Sequence, residues 1–175
     1  MVHSVELLFD PDSDAAVRRL WTDLSAAGIR SQESHRSPTN RPHVTLTVAA
    51  TLPDAVDDAL RPLLDLLPLD GLIGAPMLFG HRTLTLVRLL VPSTDLLALH
   101  AAVDDACRPH NPDGPLPHAA PGQWTPHVTL ARRLPPEQLP AAMTVPGIGS
   151  DIACRFTGLR HWDGEHRVEH PISRA

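Results

Sequence analysis

The sequence predicts a mixed α and β fold of two similar halves that face one another across a cleft. Three observations carry this. The pentapeptide Pro-His-Val-Thr-Leu occurs twice, at 42–46 and 126–130, and the copies lie about half of the 175-residue chain apart. The order of strand-like and helix-like segments around both copies is the same, the signature of an internal duplication. A long polar loop containing prolines precedes each copy, at 28–42 and 108–125, and loops of that length inside a compact domain are usually functional or disordered. The two runs divide at about 1–80 and 81–175 of a single domain, which the length readily supplies with a core.

The elements follow in order. His3–Phe9 reads as a strand. Asp10-Pro11 caps and opens a helix, with Ala16, Val17, Leu20, Leu24 and Ala27 at helical spacing and Gly28 to end it. His43–Ala49 is β-rich, and Pro53-Asp54 opens a second helix with Val56, Leu60, Leu63 and Leu64 inward. Residues 71–79 complete the first half as a strand. In the second half, 83–91 is a strand and Pro92-Ser93 opens a helix carrying Leu96, Leu97, Leu99, Ala102 and Val103. The second motif strand is 126–132, Pro135-Pro136 introduces a short helix, 151–160 is a strand, and a last strand lies near 167–172.

Composition narrows the function. Apolar residues make up 42%, a globular composition, and no apolar run approaches the roughly 20 residues of a membrane helix. The start MVHSVELLFDPDSD lacks the basic opening and cleavage site of a signal peptide, so a cytoplasmic protein without a membrane partner is expected. Cys107 and Cys154 stand far apart with no Cys-x-x-Cys, which predicts two buried free thiols. The net charge of −5 argues against a large nucleic-acid footprint and leaves room for a nucleotide or one RNA end. All 15 basic residues are Arg, so lysine chemistry is excluded, and with no Tyr so is tyrosine chemistry.

The chemistry lies in His-x-Thr, twice. On a strand, residues i and i+2 share a face. His43 and Thr45 therefore share one face and Val44 and Leu46 the other; His127 and Thr129 stand likewise against Val128 and Leu130. Packing the halves about a pseudo-two-fold axis brings both open faces to one point. Histidine titrates near neutrality, so one ring can take a proton while the other gives one. The threonine hydroxyls can bind non-bridging oxygens of a phosphodiester. A single copy would favour a surface or packed histidine; two copies in the same context reverse that balance.

Metal chemistry has weaker support. The chain has 11 His, yet zinc and iron sites favour His-x-His or His-Glu-x-x-His, and threonine is a poor ligand for those metals. The only other tight spacing, His166 to His170, alternates like a strand. No metal or other cofactor is expected.

At its two motifs the sequence resembles the 2H phosphoesterase superfamily, in its LigT-like branch of 2′-5′ RNA ligases and RNA 2′,3′-cyclic phosphodiesterases. The resemblance covers essentially the whole chain. It implies an α+β fold of two pseudo-symmetric lobes, each an antiparallel sheet with helices on its outer face, around a central cleft. It implies metal-free opening of a 2′,3′-cyclic phosphate to a 2′-phosphate, with an RNA 3′ end or a small cyclic nucleotide as substrate, and 2′-5′ ligation in some members. His43 and His127 match the catalytic pair, as acid and base respectively. Thr45 and Thr129 match the phosphate-binding hydroxyls. Arg132, five residues after the second histidine, matches a phosphate-binding arginine, although simple alternation points Arg133 into the cleft. Rings for base stacking are few: Phe9 and Trp124 are the candidates, with core packing as the alternative for both. A monomer is expected. The competing readings are a module on the same fold that binds an RNA end or nucleotide without turnover, and a metal-dependent hydrolase using other histidines.

Overall fold

The computed structural model describes residues 2–174. Seven strands and four helices follow the chain as β1 (His3–Phe9), α1 (Pro11–Ala26), β2 (His43–Ala49), α2 (Val56–Leu60), β3 (Leu69–Phe79), β4 (Leu84–Leu90), α3 (Thr94–Cys107), β5 (His127–Leu134), α4 (Leu139–Met143), β6 (Ile152–Asp163) and β7 (Val168–Ile172). The two long helices begin where side chains can cap them. Asp10 accepts the backbone N–H of Ser13, and Ser93 accepts that of Leu96, each cap worth about 1 kcal/mol. Gly28, after α1, takes φ 78°, a left-handed turn that suits glycine.

All pairings are antiparallel. The strand order β1-β2-β5-β4-β3-β6-β7 closes on itself, because β6 also pairs with β1. The long β6 is the hinge of this ring. Its first part, Ile152–Phe156, pairs with β3, and its later part, Phe156–Asp163, pairs with β1. The result is two antiparallel lobes: β2, β1, the end of β6 and β7 in one; β5, β4, β3 and the start of β6 in the other. The lobes do not coincide with the sequence halves 1–80 and 81–175. β3 from the first half pairs with β4 of the second, and β6 from the second half pairs with β1 of the first. Each half lends its third strand to the other.

The helices cover the outer faces. Val17, Leu20, Trp21 and Leu24 of α1 are buried on one side of that helix, and Leu96, Leu99, His100 and Val103 of α3 on one side of that one. The apolar residues of both join a single core with Leu7, Val44, Leu46, Val128 and Leu130. Cys107 and Cys154 are buried free thiols, each pushed up to about 12 by burial first and by nearby carboxylates second.

Candidate active site

The two motif strands meet where the ring closes. β2 and β5 pair antiparallel at Val44 and Val128, and that register sets His43 across from Thr129 and Thr45 across from His127. Strand parity does the rest. Val44, Leu46, Val128 and Leu130 are all but fully buried under the helices, while the two histidines and two threonines stay half-buried on the opposite face. The flanking strands are matched as well. Leu8 of β1 pairs with His43, and Leu89 of β4 pairs with His127.

Both imidazoles are pinned in the same way. His43 Nδ1 lies 2.8 Å from the Arg41 carbonyl, and His127 Nδ1 lies 2.7 Å from the Thr125 carbonyl. A carbonyl only accepts, so each Nδ1 carries a proton and each Nε2 is left for chemistry. The motif backbones are tied across the halves by indoles. Trp124 Nε1 donates to the Thr45 carbonyl at 2.9 Å, and Trp21 Nε1 donates to the Thr129 carbonyl at 3.0 Å.

The electrostatics of the two rings differ. Glu6 Oε1 lies 3.7 Å from His43 Nε2. This carboxylate is buried, accepts from Ser4 Oγ at 2.8 Å, and receives Nε and Nη2 of the equally buried Arg160 at 2.7 Å each. Burial alone would push the Glu6 carboxyl up. The charges of His43 and Arg160 and the bonds from Ser4 and Arg160 outweigh it and hold the group below the usual carboxylate range. Among the described residues His127 has no such partner. Burial pushes its ring below the usual histidine range; the Thr125 carbonyl opposes this, and the charges of Arg132 and His43 reinforce it. The edge of Phe79 stands against the His127 ring with centroids 4.9 Å apart.

A cleft of about 500 Å³ opens along His43 and Thr45. Glu6, Arg160 and Trp162 line it in the middle and at one end, and Arg30, Arg41, Arg132 and Arg133 at the other. The two last-named arginines both reach it because β5 is twice irregular. Between Thr129 and Ala131 the register with β4 slips, leaving Leu130 as the extra residue. That slip moves Arg132 onto the cleft face, where unbroken alternation would have placed Arg133. A second slip between Ala131 and Leu134 puts Arg133 in the left-handed region at φ 57°, which returns it to the cleft as well.

Phe9 does not reach this cleft. It is buried in the core against Phe156, ring centroids 4.7 Å apart. Trp124 does not line it either: one face stacks on His100 at 4.0 Å while its N–H holds Thr45. Trp162 lines the cleft, and Phe79 stands against His127, which like Thr129 lies outside the cleft's lining. Sequence reasoning missed both of these aromatic rings, along with Glu6 and Arg160. For Glu6 a period-2 signal existed, since Ser4 and Glu6 alternate with the apolar Val5 and Leu7.

On the other face of β1 and β6, His161 Nδ1 bonds Asp57 at 3.0 Å and His161 Nε2 meets His3 Nδ1 at 3.1 Å. His170 stacks on His161. Among the described residues no group of three or more His, Cys, Asp or Glu is arranged to hold a metal ion.

The sequence profile of the 2′-5′ RNA ligase superfamily matches residues 9–163. No curated protein matches the chain in sequence. Solved structures share its fold at low identity. TT0787 of Thermus thermophilus is 17% identical with a TM-score of 0.58, covering 99% of this chain and 96% of that one. LigT of E. coli, solved with 3′-AMP, is 15% identical with a TM-score of 0.52, covering 98% and 94%. Usb1 of Kluyveromyces marxianus, solved with uridine monophosphate, is 11% identical with a TM-score of 0.54, covering 98% and 97%.

Proposed function

The chain belongs to the 2′-5′ RNA ligase superfamily, and from that premise we propose that it is a metal-independent phosphodiesterase that opens 2′,3′-cyclic phosphates of RNA ends or nucleotides to 2′-phosphates. The observation that carries this reading is the meeting of two His-x-Thr strands at Val44 and Val128, with both Nδ1 atoms tied to carbonyls and both Nε2 atoms left free of them. The nucleotides bound to the E. coli and Kluyveromyces structures support a substrate of that class.

The chemistry assigns itself by charge. His127, held low by burial, is neutral at pH 7 and serves as base. His43, whose Nε2 faces the ionised Glu6 carboxylate at 3.7 Å, serves as acid. Water attacks phosphorus as His127 Nε2 takes its proton. The bond from phosphorus to the ribose 3′ oxygen breaks, and His43 Nε2 gives that oxygen a proton. The products are a 2′-phosphate and a 3′-hydroxyl. Thr45 and Thr129 donate hydroxyls to the non-bridging oxygens, and Arg132 adds positive charge as negative charge develops on them. With a 5′-hydroxyl in place of water, the same steps form a 2′-5′ linkage.

The test is incubation with nucleoside 2′,3′-cyclic phosphates in excess EDTA. Formation of nucleoside 2′-phosphate is expected. Tight binding of that product with no turnover across the four bases would replace this reading with a binding module.

A further inference from the structure

The far end of the cleft has more positive charge than one phosphate needs. Arg30, Arg41, Arg132 and Arg133 line it together. Among the described residues none of these four donates to a carboxylate, whereas Arg18, Arg61, Arg108, Arg155 and Arg174 elsewhere on the surface each pair with aspartate. Arg19, Arg36, Arg82 and Arg167 also make no ion pair among the described residues, but none of them lines the cleft. The clustering is built by the fold. Ser31 bridges to Ala131, so the loop before β2 lies antiparallel to β5 and sets Arg30 beside Arg132. The β2–β5 register brings Arg41 to the same end. Arg133 reaches the cleft only through a left-handed backbone that an arginine rarely adopts, and such outliers concentrate at ligand sites.

The spacing fits a second anion. Arg133 lies four residues beyond Thr129, roughly 10–13 Å of strand. A phosphate beside Thr129 meets Arg132 first, and the next phosphate of a nucleic-acid strand falls to Arg133. Building on the reaction proposed above, we infer that Arg30, Arg41 and Arg133 form a second anion subsite for the phosphodiester on the 5′ side of the terminal nucleoside. The preferred substrate is then an oligonucleotide ending in a 2′,3′-cyclic phosphate rather than a free cyclic nucleotide.

The experiment compares uridine 2′,3′-cyclic phosphate with the dinucleotide UpU ending in the same group, in the native protein and in the double variant R30Q/R133Q. The dinucleotide should have a kcat/KM about tenfold higher or more, the value of a charge-assisted contact. This advantage should shrink as salt rises. In the variant it should vanish while the mononucleotide rate stays unchanged. Equal rates for the two substrates would overturn the subsite, as would an advantage that survives in the variant. So would an equal loss of both substrates, which would assign these arginines to the reacting phosphate. If neither substrate turns over, the proposed reaction fails and the subsite is judged by binding alone. Tighter binding of UpU 2′-phosphate than of uridine 2′-phosphate, lost in the variant, would uphold it; equal affinities would refute it.

Discussion

The two halves carry the same frame and differ at two positions beside each motif. On β1, Glu6 pairs with Thr45; at the matching register on β4, Val87 pairs with Thr129. Next to it, Leu7 of β1 pairs with Val44 whereas the buried Arg88 of β4 pairs with Val128. Elsewhere around the motifs the halves agree. Leu8 and Leu89 back the histidines, carbonyls two residues upstream hold both Nδ1 atoms, and the register slips after each motif, at Leu46 in β2 and Leu130 in β5. We propose a duplication as the origin of this equivalence. The comparison separates positioning from charge. Matched backbone contacts place two identical rings, and one carboxylate then makes them different groups.

If the frame is shared, each ring should be equally indispensable. His43→Ala and His127→Ala should each lower kcat on a 2′,3′-cyclic phosphate by about 10²–10⁴-fold, the usual range for an acid or a base. Thermal unfolding followed by circular dichroism should change little, since both rings are only half-buried. A variant of either histidine that kept nearly full activity would break the comparison.

The carboxylate's effect is smaller and has a sign. The rate requires neutral His127 and protonated His43. It therefore rises with pH through the titration of His127, whose range is depressed. Glu6→Gln removes the negative charge 3.7 Å from His43 Nε2 and should lower the rate severalfold. The acid limb, set by His127 on the strand beside β4, should hold its place. Rate profiles of the two proteins between about pH 5 and 9 decide it; an acid limb that moved instead would reverse the assignment of acid and base. The variant should also lose stability. Glu6 is held in the folded state below its ordinary carboxylate range, so its contribution is present above that range and fades as pH falls through the folded value.

Much of this frame was legible in the sequence. The duplicated pentapeptide located both histidines, and period-2 alternation correctly set His43 and Thr45 against Val44 and Leu46. Capping chemistry at Asp10 and Ser93 marked the starts of α1 and α3 to within a residue or two. The exchange of third strands between the halves was not legible, because segments 69–79 and 152–163 carry no mark of their partners. The aromatic residues misled for a related reason. Trp124 sits next to a motif in sequence, yet its ring turns away to stack on His100, whereas Trp162 comes to the cleft from a distant strand beside Ser4. Alternation also fails wherever the register slips, and nothing in His-Val-Thr-Leu-Ala-Arg-Arg-Leu announces the two slips of β5.

The second of those slips has no equivalent in β2, and it supplies the finest test. Arg133 sits at φ 57°, a conformation costing a residue with a side chain about 1–2 kcal/mol that glycine avoids. The corresponding position of β2, Ala49, is buried in regular strand. Arg133→Gly should therefore raise the stability of the fold by about 1 kcal/mol in chemical denaturation, even though it enlarges the unfolded chain's freedom and removes a side chain. An Ala49→Gly change, made where the backbone is ordinary, should lower it by a similar amount. Opposite signs at two matched positions would establish that the second half holds its arginine in the cleft against backbone strain, as sites that trade stability for ligand contact do. If Arg133→Gly proved destabilising, its side chain would have to make contacts in the free protein that offset the strained backbone, and the left-handed turn could no longer be read as a device for binding.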